Sequence, residues 1–304
     1  MKRLTLAFSV LLAFVCSGAT ADAQRKTKAT AAAPPARTVT LKTRAGAVVW
    51  VDEVRRGVAD AEGRLELKLS PGRHALRVRA TGFAERTLPI LPAQRGTIDV
   101  PLKETTDRAE LLFQQAEEER EKGGGAARAA ELYREALAIR PRFAAAHVGL
   151  ARALSALDDH DGALEQIEEA RRDRPGYSEA SAVEGRILRA MADYDGALAA
   201  YARAIREARG FQPEAHTGAG LVHEDKGRHE EAVASFRKAI AQLSDTEPVL
   251  YELLGRNFEK LERWKDAADA YDKYLELAPE GSHASAIRSI IEQLRRQAEE
   301  AEQQ

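Results

Sequence analysis

Residues 160–170 read HDGALEQIEEA and residues 194–204 read YDGALAAYARA. Each places an alanine, a bulky residue four positions later and a second alanine seven positions later: Ala163-Ile167-Ala170 and Ala197-Tyr201-Ala204. Related sets begin at Ala129, Ala232 and Ala267, so the five anchors stand 34, 34, 35 and 35 residues apart. Positions four and seven apart share one face of an α-helix, and a period of this length is that of a helical hairpin copied along the chain. One such hairpin cannot bury its apolar stripe alone. Stacking on its neighbours yields a solenoid with a long concave surface suited to holding another molecule, which favours binding over catalysis.

The chain has 304 residues, 44% hydrophobic and 31% charged, which gives room for roughly two domains of ordinary soluble composition. Its start is different. Met1-Lys2-Arg3 forms a basic cap, Leu4 to Val15 an apolar run, and Ala21-Asp22-Ala23 a pair of small residues before Gln24. This predicts a secretory signal peptide over 1–23; the run is well short of the ~20 apolar residues that a spanning helix needs. Cys16, the one cysteine, lies inside this segment and follows Val15 instead of a small residue, which argues against lipidation. The exported chain would then have no thiol, no disulfide and no transmembrane span.

Charge divides unevenly. Residues 24–103 carry 16 Lys+Arg against 7 Asp+Glu, a net of +9, whereas residues 104–304 carry 28 against 40, a net of −12. Either the basic end meets an anionic surface or polymer, or each part simply carries its own solubilising charge. Residues 24–37, QRKTKATAAAPPAR, have no acidic or large apolar residue and read as a basic flexible linker.

Over 38–103 the apolar period becomes two. Val39 and Leu41, then Leu65, Leu67 and Leu69, then Leu76 and Val78, then Ile98, Val100 and Leu102 alternate with polar residues, which predicts half-buried strands. Turn signals at Arg56-Gly57, Glu62-Gly63, Pro71-Gly72 and Thr81-Gly82 suggest a small antiparallel sandwich of about six strands. Gly46-Ala47, the run Val48 to Asp52, Gly57, Ser70-Pro71-Gly72-Arg73-His74 and Gly82-Phe83 resemble a PEGA domain. Of the tetrapeptide that names that family, Arg44-Ala45-Gly46-Ala47 keeps the Gly-Ala half. The resemblance implies an extracytoplasmic β-sandwich attached to other envelope modules, for which binding of surface polysaccharide has been proposed.

Arg64 and Lys68 on one strand and Arg73, Arg77 and Arg79 on the next leave the face opposite the leucines. If the two strands are neighbours, these residues form an envelope-binding patch for anionic polysaccharide; a simply solvated face is the alternative. Trp50 could stack on a sugar, but its strand is apolar on both faces, which favours core packing.

From Arg108 to Pro279 the repeats resemble tetratricopeptide repeats (TPR). Five units are legible over 108–281, closed by a capping helix over 282–304 whose Ala286, Ile287, Ile290, Ile291 and Leu294 fall on one side. His147, Ser181 and His216 stand where the family favours a large aromatic, which predicts looser packing there. The resemblance implies that the first helix of each unit lines a concave groove. The protein-binding groove residues would include Gln114, Glu118, Val148, Arg152, Ala182, Arg186, Arg189, Leu221, Glu224, Glu252, Arg256 and Glu259. Arginines at the equivalent positions 152, 186 and 256 would hold an acidic peptide, or else are solvated or paired with neighbouring glutamates. The lysine and asparagine set that clamps chaperone C-termini is missing.

Catalytic motifs are not found. His223-Glu224 and His229-Glu230 lack the second histidine of a zinc-protease helix, Asp158-Asp159-His160-Asp161 lacks calcium-loop spacing, and His216 and His223 fall at packing positions. No glycine-rich phosphate loop or nucleophile elbow occurs. The expectation is an α+β multidomain chain, a PEGA-like sandwich followed by an all-α TPR solenoid. It would be a non-enzymatic exported adaptor, periplasmic, envelope-associated or secreted, with a protein partner and without cofactor, metal or nucleic acid. Two alternatives stand beside it: a polysaccharide-binding protein whose repeats oligomerise, and a regulatory subunit of an envelope enzyme.

Overall fold

The computed structural model describes residues 37–302, apart from 53, 70, 71 and 244–246. The expected signal peptide, Cys16 and nearly all of the basic linker lie outside the described residues. The alternating segments become strands: β1 (Arg37–Lys42), β2 (Val48–Val51), β3 (Val54–Val58), β4 (Arg64–Leu69), β5 (His74–Arg79), β6 (Arg86–Ile90) and β7 (Gly96–Asp99). They form a three-stranded sheet, β4-β1-β7, and a four-stranded sheet, β3-β2-β5-β6. Val39, Leu41, Leu67, Leu69 and Ile98 from the first sheet meet Val49, Val51, Leu76, Val78 and Ile90 from the second in one buried core. At roughly 1.5–3 kcal/mol for each fully buried aliphatic side chain, this layer is what stabilises so small a sandwich.

Three details depart from the sequence reading. β1 pairs antiparallel with β4 but parallel with β7. β3 and β6 add edge strands that the alternation did not reveal. Arg56-Gly57 is no turn: it lies within β3, opposite a register shift between Val49 and Trp50 that absorbs the irregular backbone. Gly63 does turn the chain, with φ +74°, and a Cβ there would stand 2.1 Å from the Thr43 carbonyl oxygen. Two residues of the PEGA-like pattern also meet: His74 Nδ1 lies 2.5 Å from Asp52 Oδ2, and the Ala75 N–H donates to Asp52 Oδ1 at 2.8 Å.

Eleven helices follow among the described residues: α1 (Arg108–Glu121), α2 (Ala126–Ile139), α3 (Ala144–Ser155), α4 (His160–Asp173), α5 (Ser178–Ala190), α6 (Tyr194–Glu207), α7 (Pro213–Asp225), α8 (His229–Leu243), α9 (Pro248–Lys260), α10 (Trp264–Leu277) and α11 (Ala284–Glu302). Their starts are written locally. Asp107, Asp159 and Asp193 cap α1, α4 and α6 by accepting backbone N–H bonds, and Pro213 and Pro248 open α7 and α9. The repeated alanines are fully buried, and the bulky residue between them packs on the adjoining first helix. Along that interface glycine recurs opposite the ring: a Cβ at Gly185 would lie 2.7 Å from Tyr201, one at Gly220 2.5 Å from Phe236 and one at Gly255 2.5 Å from Tyr271. Small residues there let two helix backbones close over an aromatic side chain.

His147 and Ser181 do not loosen the stack. Both are buried, His147 between Gln166 and the Pro141 carbonyl and Ser181 donating to Glu207 at 2.7 Å. Ala284, Ile287, Ile291 and Leu294 of α11 cover the last hairpin, whereas Ala286 is exposed. Among the described residues no helix is long and apolar enough to cross a membrane.

Candidate partner groove

The first helices α1, α3, α5 and α7 touch one another in succession along the stack, and the four-stranded sheet is bonded chiefly to α1, with Val54 of β3 reaching the last hairpins. Gln114 of α1 is the pivot. Its Nε2 donates to the Phe83 carbonyl at 2.8 Å, and its Oε1 accepts the Gly82 N–H at 2.9 Å. One turn on, Glu118 accepts from the Thr81 hydroxyl. Arg79 Nη2 donates to Glu117 Oε2 at 3.1 Å with both side chains buried, and Glu117 also takes Arg120 and the Tyr133 hydroxyl. Burial alone would raise the Glu117 carboxyl; Arg79 and Arg120, helped by the Tyr133 hydrogen bond, outweigh it and hold the pKa at about 2.

Trp50 turns away from the sandwich core towards these helices. The Arg77 and Arg79 guanidinium carbons lie 4.6 and 4.7 Å from its ring centre, so the ring is stacked by cations and not offered to a sugar. It is buried, as packing predicted, but at the junction and not in the sandwich core. Farther along, the His74 ring meets Phe211 edge-on with centres 6.3 Å apart, and Val54 packs against the apolar cluster of the last hairpins.

The sequence-predicted groove residues therefore divide. Gln114 is taken up by the sandwich, and Val148 is a correction: it is fully buried in the interior of the first hairpins, not on the groove wall. Ala182 is buried likewise. The arginines form a ladder between consecutive first helices. Arg152 donates to Glu179 at 2.8 Å, Arg186 to Glu214, Arg189 to Asp225 at 2.6 and 3.1 Å, and Arg256 to Glu224 at 2.7 and 3.1 Å. Pairing with neighbouring carboxylates, one of the two readings open from sequence, is thus what these residues do here. Burial opposes ionisation of Glu179, yet Arg152 and Arg77 keep its pKa well below the usual carboxylate range. Leu221, Glu252, Arg256 and Glu259 sit on the second half, where Glu252 faces His283 at 2.8 Å and Glu259 accepts from the Tyr271 hydroxyl.

The basic patch is not assembled. β4 and β5 belong to different sheets, so Arg64 and Lys68 are exposed on the outer side of one while Arg77 and Arg79 point into the solenoid from the other. Arg73 stands exposed just before β5. Sequence order was taken for spatial order, and the sandwich crosses between sheets at that turn. Reasoning from sequence also missed Glu117 and Glu179, because a carboxylate on a helix face reads as solvated until something docks over it.

Residues 122–187 and 183–248 each match a family model described as tetratricopeptide repeat. The hairpins within residues 122–248 thus match the tetratricopeptide repeat. Among solved structures, the TPR protein TTC0263 of Thermus thermophilus shares 23% identity with a TM-score of 0.51, over 61% of this chain and 98% of that one. PilW, a type IV pilus biogenesis factor, shares 19% with a TM-score of 0.54, over 64% and 89%; pilF of Pseudomonas aeruginosa shares 18% with 0.54, over 64% and 88%. At these identities the likeness to these structures is one of fold. No curated protein matches the sequence.

Proposed function

We propose that the chain is a non-catalytic scaffold of the bacterial cell envelope, which holds a protein or peptide partner along the stretch of TPR groove its own sandwich leaves open. The repeat stack carries this reading, since its second helices bury the interior while its first helices present a continuous inner wall. On the open half, Tyr201, Pro213, Leu221, Val249 and Leu250 surround a hollow of about 490 Å³, with Val54 of the sandwich at one end. Val249 is half exposed on its rim. A partner's apolar anchor fits that hollow, and Arg186, Arg189, Glu214 and Glu247 supply its charged lining.

Envelope association is supported by the sequence of the first 37 residues and by the PEGA-like pattern of 46–83. It predicts a mature N-terminus at Gln24 and co-fractionation with the envelope, periplasmic or released. The polysaccharide reading has less support, because the five basic side chains it needs are divided between two sheets and the solenoid contact. The test is affinity capture from envelope extract with the whole chain and with a Leu221→Asp, Val249→Asp double variant. A partner retained by the first and lost from the second is expected; no retention by the first, or equal retention by both, would refute the groove assignment.

A further inference from the structure

Where the four-stranded sheet meets α1, α3, α5 and α7, the two lobes enclose a cavity of about 330 Å³. At liquid density this is the volume of about eleven waters, enough for a small solute and too little for a folded chain segment. Among the described residues its wall carries four carboxylates, and every one is already engaged. Glu117 takes Arg79, Arg120 and Tyr133; Glu179 takes Arg152 and the Tyr177 hydroxyl; Glu214 takes Arg186; Glu121 faces Arg55 at 3.7 Å. Six guanidinium groups line the cavity; Arg77 is paired with Glu85 outside it at 3.8 Å, which leaves five to oppose these four. Among the described residues the wall thus carries one positive charge more than it neutralises, in a place where burial makes uncompensated charge costly. In addition, Arg120 Nε is buried without a hydrogen-bond partner, which is rare for a buried donor unless something else satisfies it.

We propose that this cavity is a binding site for a small oxyanion, held between guanidinium groups of the sandwich (Arg77, Arg79) and of the solenoid (Arg120, Arg152, Arg186). Guanidinium forks pair in two-point fashion with phosphate and carboxylate alike, and an anion matches the positive surplus of the wall. Because both lobes contribute cations, the ligand fastens the sandwich to the repeats. The cavity adjoins the open hollow at Leu221 and Val249, sharing Val54, Arg55, Arg186 and Glu214 with it, but Arg77, Arg79, Arg120 and Arg152 line the cavity alone, so anion binding there does not require a docked protein.

The test uses the Trp264→Phe variant of the full chain, in which Trp50, stacked by Arg77 and Arg79, is the one remaining tryptophan. Inorganic phosphate and malonate are titrated separately at ionic strength matched with sodium chloride, and Trp50 emission and thermal midpoint are followed. A saturable change with phosphate, malonate or both supports the site and assigns its ligand as phosphate-bearing, dicarboxylate or either; a response no different from that to chloride overturns it. Arg120→Gln should weaken the response by about tenfold, the loss of one charge-assisted hydrogen bond. Since Arg120 also supports Glu117, Arg186→Gln at the half-exposed mouth provides a second variant with the same expectation. Arg172→Gln, which pairs with Glu169 on the outer face of α4, should change nothing. Folded Arg120 and Arg186 variants that bind as the parent does would also overturn the site.

Discussion

The first three hairpins and the last two obey the same repeat pattern, yet their inner walls have different fates. In the first half, Gln114, Glu117 and Glu118 are consumed by the sandwich; the contacts of Gln114 and Glu117 are largely buried, whereas that of Glu118 is exposed. In the second half, Arg256 and Glu224 or Glu252 and His283 pair only with each other, partly exposed. Burial is the difference that counts. A guanidinium–carboxylate pair closed off from water becomes indispensable once made, because removing one partner strands the other; the same pair on an open wall is screened and contributes little. The periodic residues build the wall, and the aperiodic ones decide which part of it is already occupied.

The strongest way to break this comparison is Glu117→Ala. It strands Arg79 and Arg120 at the junction, and we expect a loss of about 3–5 kcal/mol, seen as a fall in urea midpoint and as protease access to the 80–84 turn. A loss below about 1 kcal/mol would mean that the sandwich is not held by this pair. Next in size is the acid response of the same residue. The folded pKa of Glu117, about 2, lies below its usual 4.5. The folded state therefore binds its proton less readily than the unfolded state, and the stability gained, on the order of 3 kcal/mol, is present above pH 4.5 and lost as pH falls towards 2. Urea midpoints of the parent chain should drop across that window, and the Glu117→Gln variant should lack this part of the drop; an equal slope in both would remove Glu117 as the cause.

A third test sharpens the comparison by asking what the halves share. Gly185→Ala in the first half and Gly255→Ala in the second push a methyl group to 2.7 and 2.5 Å from Tyr201 and Tyr271. Overpacking costs roughly 1–3 kcal/mol, and better helix propensity returns up to about 1. A net loss of about 1–2 kcal/mol in each is expected by chemical denaturation. Similar losses would show that the interior is equivalent throughout, so that the asymmetry belongs to the inner wall; a gain at either site would mean that the ring moves aside.

The interior was legible because its rule is short-range. Alanine, a bulky residue and a second alanine on one helical face need no knowledge of distant sequence, and Ala129, Tyr133 and Ala136 are buried where that rule puts them. The strands with strict alternation were legible for the same reason. What could not be read was set by contacts across the fold. Val148 follows a groove position by homology of repeats but is drawn inward by its local neighbours. Arg77 and Arg79 alternate as a solvated face would, and nothing nearby in sequence announces the helix 38 residues on that receives Arg79. The parallel pairing of β1 with β7 is equally silent, because pairing direction leaves no trace in an alternation of period two.

The smallest expected effect lies on the open wall. Arg256 is nearly half exposed, and its two hydrogen bonds to Glu224 join α9 to α7 in contact with water. Coulomb attraction there acts through water and is offset by the cost of fixing two long side chains, so Arg256→Gln should lower stability by no more than about 1 kcal/mol. Glutamine keeps one donor, which narrows the loss further. The useful reading is relative: the same change at Arg152, buried against Glu179, should cost severalfold more under identical denaturant conditions, with similar denaturant slopes for both variants. If Arg256→Gln proved as damaging as Arg152→Gln, its wall would have to be shielded from water in solution, and the second half of the groove would itself be occupied.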